Sequence, residues 1–236
     1  MTQIHPIYLD YNATTPLTPA VIAAMRPFLE EHFGNPSSSH IFGQIAQHAV
    51  EKARGQVSAL IGASPDEIVF TGSGTEANNI AIQGIARARQ TRGNHIITTA
   101  IEHPAVTEVC TYLASQGFQI TTLPVDACGQ VSPDDLAAAL TPETILVSIM
   151  HANNEVGTIQ SIRTLAEMTR QTGALFHTDA AQSVGKLPVD VHKLGVDLLS
   201  IAGHKLYAPK GVGALYIRHG VTLEKILFGA NQERAL

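Results

Sequence analysis

Cysteine is scarce in this chain: Cys110 and Cys128 are the only two in 236 residues. They do not form a C-x-x-C pair, and two are too few for a disulfide framework in a chain of this size. A reducing compartment, the cytoplasm, is therefore expected. Basic charge is also short. Lys and Arg number 15 against 20 Asp and Glu, a net charge of -5, and the pI is about 6.1. That balance argues against a nucleic-acid surface built on excess base. No apolar run approaches the ~20 residues that cross a bilayer. The opening Met1-Thr2-Gln3-Ile4-His5-Pro6 has neither a basic stretch nor an apolar one after it, so no secretory signal is expected. Histidines number eleven, but none stands in H-E-x-x-H or a comparable spacing, so no metal site is expected. Internal repeats and low-complexity tracts are missing too.

The chain does have the composition of a folded domain. Hydrophobic residues make up 44% and charged residues 15%, which places it among globular rather than disordered chains. Its length suits one large or two small domains. Short β-branched runs alternate with longer amphipathic segments. Strands are expected at 67–71, 95–99, 120–124, 145–150, 175–179, 198–202 and 213–217, and helices at 19–32, 44–61, 76–90, 104–116, 133–140 and 162–172. The strand runs are nearly all apolar, as strands covered on both faces are. The alternation predicts an α/β fold, a mostly parallel sheet with helices on both sides. In the helix after the first strand, Ala77, Ile80, Ala81, Gly84, Ile85 and Ala88 repeat at helical spacing and mark one face. Ser132 before Pro133 reads as a helix start, and Gly173 as a helix stop.

In open α/β sheets ligands bind outside the carboxyl ends of the strands, so the residues just after each strand carry the chemistry. Thr71-Gly72-Ser73-Gly74-Thr75-Glu76 joins a strand to a helix N-terminus, where close backbone N–H groups and the helix dipole suit an anion. The same residues also make an ordinary capped turn. Lys205 follows another strand, in Ala202-Gly203-His204-Lys205. Burial and nearby cations lower an amine's pKa and make it a nucleophile; otherwise it is a solvated loop lysine. Asp179 closes a strand in His177-Thr178-Asp179-Ala180-Ala181-Gln182. It can pair with a protonated pyridine nitrogen or cap the next turn. His103, in Glu102-His103-Pro104, can stack on a flat ring or move a proton, or only open a helix. Asn153-Asn154-Glu155 offers an amide, or a polar turn. Each feature is weak alone. Together, in this order along the chain, they meet the requirements of a pyridoxal-phosphate (PLP) site on a doubly wound sheet.

An ordered set of longer motifs adds a resemblance. Tyr8-Leu9-Asp10-Tyr11-Asn12-Ala13-Thr14-Thr15-Pro16, Phe33-Gly34-Asn35-Pro36-Ser37-Ser38, Phe70-Thr71-Gly72-Ser73-Gly74-Thr75-Glu76, Glu102-His103, Asn153-Asn154-Glu155-Val156-Gly157, Asp179-Ala180-Ala181-Gln182-Ser183-Val184-Gly185-Lys186 and Gly203-His204-Lys205 resemble the cysteine desulfurases, PLP enzymes of the class V aminotransferase group. The resemblance implies a fold-type-I large domain at 16–236 behind an N-terminal arm at 1–15. It implies that Lys205 binds the cofactor covalently and shuttles a proton at the substrate Cα. Asp179 would pair with the ring nitrogen and His103 would stack on the ring. Asn154 and Gln182 would contact the ring's oxygen side, and Gly74, Thr75 and His204 would hold the phosphate. The catalytic pair would be Lys205 and His103. L-cysteine would be the substrate, alanine the product, and the sulfur would pass as a persulfide to an acceptor such as an iron–sulfur scaffold. A homodimer with sites near the subunit interface is the family's usual form.

The sequence departs from the family pattern in two places. Ala202 stands where family members often carry a serine that helps hold the phosphate. The sequence also stops at Gly229-Ala230-Asn231-Gln232-Glu233-Arg234-Ala235-Leu236. The family motif continues from here into an Arg-Ser-Gly-Thr stretch and a C-terminal domain with the persulfide cysteine and a substrate-binding arginine, so a truncated enzyme is expected. Cys110 reads as a core residue and Cys128 as part of a turn, neither a reactive thiol. A selenocysteine lyase, another class V enzyme, and a silent chain that binds a full-length partner are the alternatives. Loss of the C-terminal domain would leave apolar surface uncovered.

Overall fold

The computed structural model describes residues 6–230 and Glu233. Its strands are β1 (Ile68–Thr71), β2 (His95–Thr99), β3 (Gln119–Leu123), β4 (Thr144–Ser148), β5 (Leu175–Asp179), β6 (Leu198–Ala202) and β7 (Gly213–Ile217). They form one seven-stranded sheet in the order β1-β7-β6-β5-β4-β2-β3. Pairings among β2 to β6 are parallel, while β7 runs antiparallel to both β6 and β1. The sheet is thus mostly parallel, as its apolar runs imply.

Successive strand residues point to opposite faces, and here both faces are buried. Ile96, Leu146, Leu175, Leu198 and Leu215 pack under helices α3 (Gly74–Arg89) and α4 (Pro104–Ser115). Their neighbours Ile97, Val147, Phe176, Leu199 and Tyr216 join the opposite core, which takes in Ile61 of α2 (Ile41–Ile61) and Leu165 of α6 (Ile162–Gln171). Only β3, an edge strand, carries exposed positions along its length. Two short elements complete the order, α5 (Pro133–Ala139) and α7 (Val191–Leu194).

Local chemistry set several boundaries away from those expected. Helix α3 begins at Gly74 because the Ser73 hydroxyl accepts the Glu76 N–H at 3.1 Å. Helix α2 begins at Ile41 because the His40 ring accepts from Gly43 N–H. Strand β1 starts at Ile68, after a 3-10 turn (Pro65–Glu67) that Glu67 closes by accepting from Ser64 N–H at 3.0 Å. The single turn α7 gave no periodic signal; Asp190 caps its start and Gly195, at φ 71°, ends it. In α3 the buried set is wider than the stripe, since Asn78, Ile82 and Ala86 are buried too, and Ala88 is exposed near the helix end. Ser132 and Gly173 act as the sequence implies, Ser132 accepting from Asp134 and Asp135 N–H and Gly173 adopting φ 75°.

The N-terminal part behaves differently. Helix α1 (Pro19–Glu30) buries no residue. Residues 6–15 form neither helix nor strand and lie across the strand ends: Thr15 N–H donates to the His204 carbonyl at 2.9 Å, and Asn12 Nδ2 to the Asn154 carbonyl at 3.1 Å. The first five residues of the expected arm lie outside the described residues, as do Asn231, Gln232 and the last three residues of the closing motif. Glu233 of that motif grips Arg54 with both carboxylate oxygens, at 2.9 and 3.0 Å, and accepts from Phe70 N–H at 2.9 Å.

Candidate active site

The carboxyl ends of β1, β2, β4, β5 and β6 meet at a cavity of about 170 Å³. All eight residues singled out from the sequence line it: Gly74, Thr75, His103, Asn154, Asp179, Gln182, His204 and Lys205.

At one side is the start of α3. The first helical turn leaves the N–H groups of Gly74 and Thr75 without an intrahelical acceptor, and the dipole adds positive potential there. The turn is tight. A Cβ on Gly74 would come within 3.0 Å of Ala202 Cβ, and one on Gly213 within 2.6 Å of the Ser73 backbone. Ser73 is therefore both an ordinary cap and part of an anion cradle. Ala202 lines the cavity with a methyl group.

Opposite the cradle, β5 ends in Asp179, which is 7% exposed. Its Oδ1 accepts from Ala181 N–H at 2.9 Å and its Oδ2 from Asn78 Nδ2 at 2.7 Å. Two residues back on the same strand, the buried His177 ring bridges the Ser148 and Ser200 hydroxyls at 2.8 and 3.0 Å. Burial pushes its pKa down to about 3, so this rung of the sheet is neutral.

Lys205 follows β6 in a 3-10 turn (Gly203–Lys205). Burial, and next the nearby Lys186 ammonium, lower its pKa. Its Nζ donates to the Asn12 carbonyl. Two residues on, Tyr207 is held at φ 61°, a region bulky residues seldom adopt. Its N–H donates to Thr15 Oγ1 at 2.8 Å, and the same hydroxyl donates to the His204 carbonyl at 2.8 Å. The His204 ring meets the Thr14 hydroxyl at 3.1 Å, and its pKa is lowered by burial and then by Lys205.

His103 caps α4, its Nδ1 accepting from Ala105 N–H at 3.0 Å. In the neutral ring that bond puts the proton on Nε2. The amides are more committed. Gln182 donates to the Asn12 carbonyl at 2.9 Å and accepts from Lys186 Nζ at 2.7 Å. Asn154 donates to Glu155 at 2.6 Å. Asn153 is structural, accepting from Glu155 and Val156 N–H at 2.9 and 3.0 Å.

Three features went unread in the sequence. Asn78 lines the cavity from α3, where it is buried beside Ala77, Ile80, Ala81 and Ile82; it lies off the apolar stripe that the sequence displays. Glu102 is buried, and its Oε1 accepts from the Thr99 hydroxyl and from Met150 N–H, both at 2.8 Å. Burial pushes its pKa up to about 8. Asn12 and Ala13, far away in sequence, close the cavity from the arm. Neither cysteine lines the cavity. Cys110 is buried, with its thiol pushed up to about 12 by burial, and Cys128 is exposed in a turn. Among the described residues no cluster suits a metal ion, and no helix is long and apolar enough to cross a membrane.

The donor set fits a flat phosphorylated pyridine aldehyde. The glycine turn at the α3 N-terminus suits a phosphate, Asp179 a protonated ring nitrogen, and Lys205 an aldehyde. The buried Asn78 Oδ1, without a partner among the described residues, marks a polar wall.

Known proteins bear on this geometry. Residues 7–235 match the family model described as aminotransferase class-V. The chain is 56% identical over 227 residues to cysteine desulfurase IscS of Dictyoglomus turgidum, covering 96% of this chain and 58% of that protein. Among solved structures, a NifS-like protein superposes with a TM-score of 0.96 at 42% identity, covering 98% of this chain and 64% of the other. A structure described as SspA in complex with cysteine gives 0.95 at 42% identity, with 98% and 67% covered. The chain thus spans a little under three-fifths of the length of that curated relative.

Proposed function

We propose that this chain, which belongs to the class-V aminotransferase family, is the cofactor-binding part of a PLP-dependent cysteine desulfurase. A single observation carries the reading: the α3 N-terminus, Asp179, His103 and Lys205 converge on one cavity. Residues 16–236 form the cofactor domain and 1–15 its arm. The substrate is L-cysteine. Its C–S bond breaks, the sulfur adds to a protein thiol as a persulfide, and the carbon skeleton leaves as alanine with the thiol's proton, so no outside oxidant is needed. Bound PLP supplies an electron sink next to the substrate Cα.

The chain's own residues prepare that chemistry. Gly74 and Thr75 would hold the phosphate by backbone N–H groups, with His204 adding a ring contact. Asp179 would pair with the ring nitrogen. His103 would stack on the ring, and Asn154 and Gln182 would contact its oxygen side. Burial keeps more of the Lys205 amine neutral, which would suit it to hold an aldehyde cofactor covalently and to carry the substrate Cα proton. Because Cys110 and Cys128 stand away from the cavity, the sulfur-accepting thiol lies outside the described residues. An iron–sulfur scaffold as final acceptor, a homodimer and a cytoplasmic location belong to the same reading.

The test mixes purified chain with PLP. A visible band that borohydride reduces, and that Lys205→Ala lacks, is expected. A folded chain with no band refutes the cofactor site. Sulfide release from L-cysteine, set against selenium release from selenocysteine, then separates the desulfurase from a selenocysteine lyase.

A further inference from the structure

Asp179 has titratable neighbours that could draw it out of place. Its carboxylate lies within electrostatic reach of the Lys205 ammonium and of the buried Glu102 carboxyl. A swing toward Lys205 would pair the acid with the amine and take both away from a cofactor. In the structure it does not swing, because Oδ2 is tied to Asn78 Nδ2 at 2.7 Å while Oδ1 takes the Ala181 N–H at 2.9 Å.

Asn78 is an expensive residue to keep in this position. It is 1% exposed, and its Oδ1 finds no partner among the described residues. A buried polar group left without a partner is destabilising. Its neighbours Ala77, Ile80, Ala81 and Ile82 are apolar and buried, so packing alone does not call for an amide. The residue also stands one helical turn, about 6 Å, beyond Gly74. One rigid helix therefore touches both the anion cradle and the acid.

We propose that Asn78 is a positioning residue for the cofactor: its side-chain amide fixes the Asp179 carboxylate in the orientation that meets the ring nitrogen, at a set distance from the phosphate cradle. This rests on the PLP reading above. Through it, α3 aligns both ends of the cofactor.

The test compares wild type, Asn78→Leu, which keeps similar volume without the donor, and Asn78→Ala, which adds room for a water. PLP dissociation constants, the pH midpoint of the visible band and the thermal midpoint of the chain without PLP are measured. Asn78→Leu is expected to bind PLP roughly 10- to 100-fold more weakly, as for loss of a hydrogen bond to a charged group. It should still form a reducible band, and the band's pH midpoint should move. Asn78→Ala should recover part of both. A thermal shift with unchanged affinity and band midpoint overturns the proposal and leaves the PLP reading standing, as does failure of both variants to fold. Absence of the band in folded wild type removes the PLP reading and this proposal with it.

Discussion

Ile97, Val147, Phe176 and Leu199 are buried between sheet and helices, whereas Ile7, Leu9 and Phe33 of the N-terminal segment are 86%, 81% and 81% exposed. The two regions meet at the cavity. The sheet side places its polar groups by strand register and closes most of them: His177 between two serines, Asp179 on Asn78, Glu102 on Thr99. The arm is held there by a few bonds from Asn12, Thr14 and Thr15. The site's walls are therefore set by strand register on one side and by hydrogen bonds from a segment without regular structure on the other. Isolated exposed apolar residues are ordinary, but a run of them along one segment marks surface suited to burial against other protein.

The contrast breaks most visibly in paired truncations. Phe176→Ala removes a fully buried ring and should cost about 3–5 kcal/mol, while Phe33→Ala should stay within about 0.5 kcal/mol. Urea midpoints check both; equal losses would mean that the segment is packed in solution. Next, Thr15→Val strips the hydroxyl that joins the His204 carbonyl to Tyr207 N–H. The loss should be about 1–3 kcal/mol, with faster proteolysis of the arm and weaker PLP binding. An unchanged PLP dissociation constant would separate arm from site.

The mildest test concerns Glu102. Its folded-state pKa of about 8 lies above the usual 4.5. The folded chain therefore holds the proton that the unfolded chain gives up, and stability falls as pH rises through that window, by up to about 1.4 kcal/mol per pH unit. His177 has the opposite sign. Depressed to about 3 from 6.5, it loses stability as pH falls through that range. The two slopes oppose one another between about 4.5 and 6.5 and Glu102 acts alone above that, up to about 8. Glu102→Gln should flatten the fall between pH 6.5 and 8. Urea unfolding across pH checks it, and an unchanged slope would mean that Glu102 is ionised in the folded chain.

Much of this was legible in the residues. Two-sided apolar runs such as Leu198 to Ala202 read as strands of a covered sheet, and the rule that ligands sit beyond strand ends picked Lys205, Asp179 and His103 without coordinates. Local signals failed where a partner came from far away. Nothing around Asn12 says that its carbonyl meets Lys205. Nothing around Asn78 says that its amide meets Asp179, and Glu102 looks like a solvated turn residue until the segment after β4 supplies the Met150 N–H. By itself the sequence determined element types, the α/β class and the identity of the chemical groups, because these depend on periodicity and side-chain chemistry within a few residues. The tertiary structure decided the antiparallel β7, the arm across the cavity and the amide behind the acid, because these depend on which distant groups share a dry space.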